Sequence, residues 1–144
     1  MRSTITSPAG ATTHNTSRAL NIGLWVLQVL MALLFLAHGW LLVAPPAEMV
    51  AMMDEQMGFG LRMFIGVAEL LAAAGLILPG VTRILPWLVP AAAAGLMIVM
   101  FSATVLHIAR GETSSAIICA VIFAIVTAIA YARWKVQPIA PRAA

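Results

Sequence analysis

Charged side chains are scarce in this sequence: 8 Lys and Arg and 5 Asp and Glu among 144 residues, or 9% of the chain. A soluble domain carries about 25% charged residues, so too few are present to cover a wet surface. Cysteine is nearly absent as well. Cys119 stands alone, which excludes an intramolecular disulfide and any Cys-x-x-Cys redox or zinc motif; inside the apolar run Ala116 to Ala132 it reads as a small buried hydrophobe. A basic stripe is also missing. Although the net charge is +3, the cations stand singly at the ends of apolar segments, which excludes tracking of a nucleic-acid backbone.

Apolar residues are what the chain has in abundance, 62% of the total with a mean hydropathy of +1.02. The solvent implied is lipid, and the length suits four membrane-spanning helices of roughly 20 residues each with short loops. Residues 1–19, rich in Ser, Thr and Ala, show no helical or strand period in their first seventeen positions and read as a disordered tail. Four apolar segments follow, at 20–43, 61–78, 84–107 and 114–134, and residues 135–144 form a C-terminal tail. The first span stops at Pro45-Pro46 and the second at Pro79-Gly80, because proline supplies no backbone donor. In the third, Pro86 falls in the first turn, and Pro90 is expected to remove one helical hydrogen bond and bend the axis.

Unpaired backbone groups are costly in hydrocarbon, so these runs span as helices rather than as open-edged strands. The fold class is therefore all-α, an integral membrane four-helix bundle. An even number of spans puts both termini on one side, with Arg2, Arg18, Arg83, Arg133, Lys135 and Arg142, whereas the opposite loops hold only Arg62 and Arg110. That asymmetry predicts cytoplasmic termini. Helix packing in lipid needs small residues. Gly66, Ala73, Ala74 and Gly75 on the second span, and Ala91 to Gly95 on the third, predict close contact between those two helices.

Three ionisable groups sit within or at the edge of the spans: His38, Glu69 and His107. An acid such as Asp at the centre of a span costs about 2.5–3.5 kcal/mol on insertion scales, and such residues usually face the bundle interior or a cavity. At 1.5 Å per residue the three lie roughly 8, 12 and 0 Å below the outer boundary, within reach of one outward-opening cavity. Arg62, Gly66, Glu69 and Ala73 follow an i, i+4, i+7 stripe, so Glu69 points inward, and Arg62 above it is expected to draw on its charge. Met97, Met100, Thr104 and His107 share a face of the third span, a soft wall with a polar rim. Gln28 lies about 80° around the first helix from His38 and lines a deeper part of the same interior.

Two histidines and a carboxylate are the donor set of a facial-triad metal site, but they come from three helices without a local Glu-x-x-His motif, so no metal is assigned. Haem between His38 and His107 rests on two histidines alone. A buried Glu beside histidines instead exchanges hydrogen bonds and protons with the polar head of a lipophilic molecule, of which a quinone is one.

Certain stretches are familiar. Phe64-Ile65-Gly66-Val67-Ala68-Glu69-Leu70-Leu71, followed by Gly75-Leu76-Ile77-Leu78-Pro79-Gly80, resembles the second-helix pattern of the DoxX-like family of small bacterial membrane proteins. Phe35-Leu36-Ala37-His38-Gly39-Trp40 resembles the end of that family's first helix, with Leu41 where relatives often carry lysine. Val89-Pro90 to Leu96, Ala103 to His107, and Gly111-Glu112 resemble its third helix and the following loop.

The resemblance implies a four-helix bacterial inner-membrane protein. The family's name derives from a subunit of a thiosulfate:quinone oxidoreductase, and relatives are associated with membrane redox-stress complexes. The reading is a redox-associated subunit binding a quinone-like molecule through His38, Glu69 and His107, with Gln28, Thr104 and Arg62 around them. A scaffold for oxidoreductase partner subunits and a proton-coupled carrier of a small lipophilic solute are the alternatives, and an oligomer is compatible with either.

Overall fold

The computed structural model describes the backbone of residues 9–142 and the side chains from Arg18 to Arg142. Its regular elements among these residues are all helical: α1 (Ala9–Val43), α2 (Ala47–Met57), α3 (Phe59–Thr82), α4 (Leu88–Ala109), α5 (Thr113–Tyr131) and a final π-helical turn, Ala132–Val136. Four helical stretches are long and apolar enough to cross a membrane: Arg18–Val43, Phe59–Thr82, Leu88–Ala109 and Thr113–Val136. The protein is a multi-pass helical membrane bundle. Its helices alternate in direction, so one end carries α2 and the α4–α5 loop, here the loop end, and the other carries both termini, the terminal end.

Several boundaries differ from those read in the sequence, for physical reasons. Of the expected tail, residues 1–8 lie outside the described residues, and from Ala9 the backbone is already helical. Once a helix is nucleated, each added residue gains a hydrogen bond, so α1 extends backwards through its polar start. α3 continues through Pro79 to Thr82, 24 residues instead of the expected short span, because proline forfeits a single bond, the one to the Gly75 carbonyl. α4 begins at Leu88, so Pro90 falls in its first turn, where its missing N–H has no intrahelical partner to lose. The expected bend therefore has no cause.

α2 was not anticipated. It is short, it carries Glu48, Asp54 and Glu55, and only Gly58 separates it from α3. Gly58 adopts φ 77° and ψ 148°, close to a region that essentially only glycine occupies, and this lets the chain fold back sharply.

α1 and α3 approach each other closely. Buried residues of α1 recur at Leu24, Gln28, Met31, Phe35, Gly39 and Leu42, and those of α3 at Arg62, Gly66, Glu69, Ala73, Leu76 and Gly80. Both series step by three and four, the spacing of a knobs-into-holes seam. A Cβ on Gly39 would stand 2.9 Å from the Gly66 carbonyl oxygen, and one on Gly66 would stand 3.0 Å from that of Gly39. Gly66 thus serves α1 rather than the α3–α4 contact expected for it. That contact rests instead on Gly75, where an added Cβ would lie 2.8 Å from Ala92 Cβ, while Ala74 and Gly95 are exposed. Phe64, Leu71 and Ile98 cover the outside, where the neighbour is lipid.

Candidate functional site

The Gly39–Gly66 approach brings His38 and Glu69 together. His38 precedes a seam residue, so its ring sits at the flank of the α1–α3 contact, and its Nδ1 shares a 2.6 Å hydrogen bond with Glu69 Oε2. The Glu69 side chain is wholly buried and the His38 side chain is 52% exposed, so the pair connects the bundle interior to its surface. One proton lies between the ring and the carboxyl whichever of them formally carries it. Glu69 Oε1 is buried without a hydrogen-bond partner among the described residues.

The other sequence-predicted residues go elsewhere. Arg62 is buried at the loop end, where Nε donates to Asp54 Oδ1 at 2.7 Å, Nη1 donates to the Leu42 carbonyl, and the guanidinium lies 5.5 Å from the Phe59 ring centre. The Leu42 oxygen is among the last carbonyls of α1, so Arg62 caps that helix rather than serving Glu69. His107 pairs through Nδ1 with Glu112 Oε2 at 2.5 Å, across the turn into α5. Both partners are partly exposed, at 26% and 45%. Such a pair is worth ~0–1 kcal/mol, so His107→Ala is expected to change stability by less than about 1 kcal/mol, read as a small shift in thermal unfolding in detergent. Thr104 donates to the Met100 carbonyl at 2.7 Å within its own helix.

Gln28 is wholly buried two turns of α3 further towards the terminal end. Its Nε2 donates to the Leu76 carbonyl at 2.7 Å, and its Oε1 accepts from Arg133 Nε at 2.5 Å. The single cavity expected for six residues is thus three separate polar layers: Arg62–Asp54 at the loop end, His38–Glu69 within the bundle, and Gln28–Arg133 at the terminal end. Among the described residues, no three His, Cys, Asp or Glu side chains converge as metal ligands.

Sequence reasoning missed Asp54, Glu112, Asn21 and Arg133. The available clue was spacing: Asp54 stands eight residues before Arg62 across a glycine, and Glu112 five residues after His107. Arg133 was counted only as a topology signal; the available clue was a cation in a segment without any neighbouring acid.

The molecule is thus a bundle of four antiparallel spans with a glycine-packed α1–α3 seam and an acid buried within it. The model of the DoxX-like family matches residues 26–130, most of the chain and all four spans. The chain belongs to the DoxX-like family. No curated protein and no solved structure matches it. In this DoxX-like chain the matched region contains His38, Glu69 and His107 but ends before Arg133, and it includes α2 with Asp54.

Proposed function

We propose that this DoxX-like protein is a redox-associated membrane subunit that binds the head of a quinone-like lipophilic molecule at Glu69 and His38. The observation that carries the reading is Glu69 Oε1, a carboxyl oxygen in the interior of the bundle with no partner among the described residues. A buried polar atom left unpaired costs ~1–3 kcal/mol, and a ligand that completes it recovers that cost. A carboxyl group is suited to both redox states of a quinone: protonated, it donates to a carbonyl, and ionised, it accepts from a quinol hydroxyl. His38, half exposed beside it, supplies a path by which a proton leaves or enters the buried acid.

The reading places the protein in a bacterial inner membrane with cytoplasmic termini, supported by the excess of Arg and Lys at the terminal end. The loop end, with His38 and Glu69 closer to it, then faces outward. In this reading Arg62, Gln28, His107 and Thr104 hold the helices and do not touch the head group.

Glu69→Gln keeps the shape and removes the exchangeable proton. It is expected to weaken quinone binding about 10–100-fold, the loss of one charge-assisted hydrogen bond, with the thermal unfolding temperature nearly unchanged. The check is to extract and quantify quinone retained by wild-type and variant protein purified from native membrane. Equal retention by both would remove the reading. An oxidoreductase that copurifies equally with wild type and variant, in the absence of bound quinone, would favour the scaffold role.

A further inference from the structure

Arg133 is the most anomalous side chain in the molecule. It is 3% exposed, yet it forms no salt bridge among the described residues, whereas the equally buried Arg62 has Asp54. Its partners are neutral: Nε donates to Gln28 Oε1 at 2.5 Å, and Nη1 donates to Asn21 Oδ1 at 2.7 Å and to the Gln137 carbonyl at 3.2 Å. The guanidinium lies 5.4 Å from the Trp25 ring centre. Nη2 is buried with no partner among the described residues.

No side chain of this protein can neutralise that charge. The five acids are Glu48, Asp54, Glu55, Glu69 and Glu112; four lie at the loop end and Glu69 is paired with His38. The terminal end instead gathers Arg18, Arg83, Lys135 and Arg142. Burying a cation without an opposite charge is costly, so its retention in a preorganised setting points to an anion that the side chains do not supply.

The surrounding geometry is that of a receptor. Helix α5 widens into the π turn at Ala132–Val136, a distortion that often marks functional sites, and this turn carries Arg133 inward. Gln28, Asn21 and the Gln137 carbonyl hold two guanidinium nitrogens and leave the third to a ligand. Gly80 has Trp25 and Ile139 where its Cβ would be, so the segment after the π turn lies over this end, attached where the Arg142 N–H donates to the Arg83 carbonyl at 3.1 Å.

We propose that Arg133 is the centre of a binding site for one phosphate group, supplied by the headgroup of an anionic phospholipid. Arginine suits phosphate because its planar fork presents two donors to two oxygens. The depth selects a lipid as the source. Tyr131 and Trp134, on either side of Arg133, are 65% and 60% exposed, and Trp87 at the same end is 57% exposed, which is the aromatic girdle that sits at headgroup level. The exposed cations around the site attract an anionic leaflet. The headgroup reaches Nη2 by displacing the segment Pro138–Arg142, with the Gln137 carbonyl left on Nη1, and its phosphodiester supplies the charge that the described side chains lack.

The test is native mass spectrometry of the full chain in detergent micelles, titrated with phosphatidylglycerol or phosphatidylcholine, and with inorganic phosphate as a competitor. Wild-type protein is expected to retain phosphatidylglycerol about ten-fold more tightly than phosphatidylcholine, and Arg133→Gln to lose that preference, a difference of one charge-assisted contact. Arg133→Lys, which keeps the charge and loses the fork, is expected to fall between them and carries the test if Arg133→Gln does not fold. Displacement of phosphatidylglycerol by an equal concentration of inorganic phosphate would overturn the lipid source and assign a free anion. Absence of preference in wild type, or full preference in Arg133→Lys and Arg133→Gln, would overturn the site.

Discussion

Gly66→Ala is expected to lower the stability of the purified protein by about 1–3 kcal/mol, and Gly66→Leu to abolish the folded bundle, because both force atoms into a filled seam. The added Cβ would stand 2.8 Å from Val43 Cγ2, 2.9 Å from Leu42 Cβ and 3.0 Å from the Gly39 carbonyl oxygen. A side chain can turn aside, but a backbone oxygen yields only if α1 moves, and helices in lipid associate through this closeness in place of a hydrophobic drive. Movement of α1 also stretches the 2.6 Å bond between His38 and Glu69, so the site opens as the seam does. Gly95→Ala is the matched control: nothing lies within 4 Å of its Cβ position, and the expected change is within about 1 kcal/mol. Thermal unfolding in detergent, followed by tryptophan fluorescence, separates the two. A silent Gly66→Ala would mean that the helices are not held at this distance.

That contrast between two glycines shows what can be read from composition and period and what cannot. Four spans were legible because each is an apolar run of about the length that crosses a bilayer core, and the inward phase of Glu69 was legible because small residues share its stripe. Which helix that stripe faces was not. The i, i+3, i+4 pattern of α3 is compatible with either neighbour, and only the Gly39 position, one residue after His38, identifies α1. α2 was hidden for a different reason. Its residues Ala47–Met57 are too polar for a span and too short to stand out by period, and its placement depends on the unusual backbone of Gly58.

The site was legible by depth and blurred by azimuth. His38 and Glu69 were expected near each other from their distances below the loop end, and the seam joins them. His107 satisfied the same arithmetic and Arg62 shared the stripe of Glu69, yet each found a nearer carboxylate, Glu112 in the α4–α5 loop and Asp54 on α2. Depth along the membrane normal is one coordinate; the rotation of each helix and the fold of each loop supply the others, and they are set by contacts that single-helix patterns do not record. Arg133 illustrates the opposite lesson. Its missing acid was visible in the sequence throughout, since no Asp or Glu lies anywhere in residues 113–144.

Asp54→Ala is expected to cost about 3 kcal/mol, the low end for breaking a buried ion pair, since Asp54 retains 31% of its side-chain exposure while Arg62 retains only 4%. The asymmetry makes the order of effects informative. Removing the acid leaves a guanidinium enclosed between α1 and α3 with the Leu42 carbonyl for company, and its charge then has no counterpart. Removing the cation by Arg62→Met leaves an acid that water can reach, and forfeits chiefly the cap on α1, about 1 kcal/mol. The double variant Asp54→Ala/Arg62→Met is therefore expected to resemble Arg62→Met, giving a coupling of roughly 2–3 kcal/mol in a double-mutant cycle read from unfolding in detergent. Were Asp54→Ala no worse than Arg62→Met, the guanidinium would have to be escaping to water, and α2 would not be pinned to the bundle through this pair. The same kind of cycle applied to His107 and Glu112 is expected to differ: both keep access to water, so removal of either should leave no stranded charge, and their coupling should stay below about 1 kcal/mol.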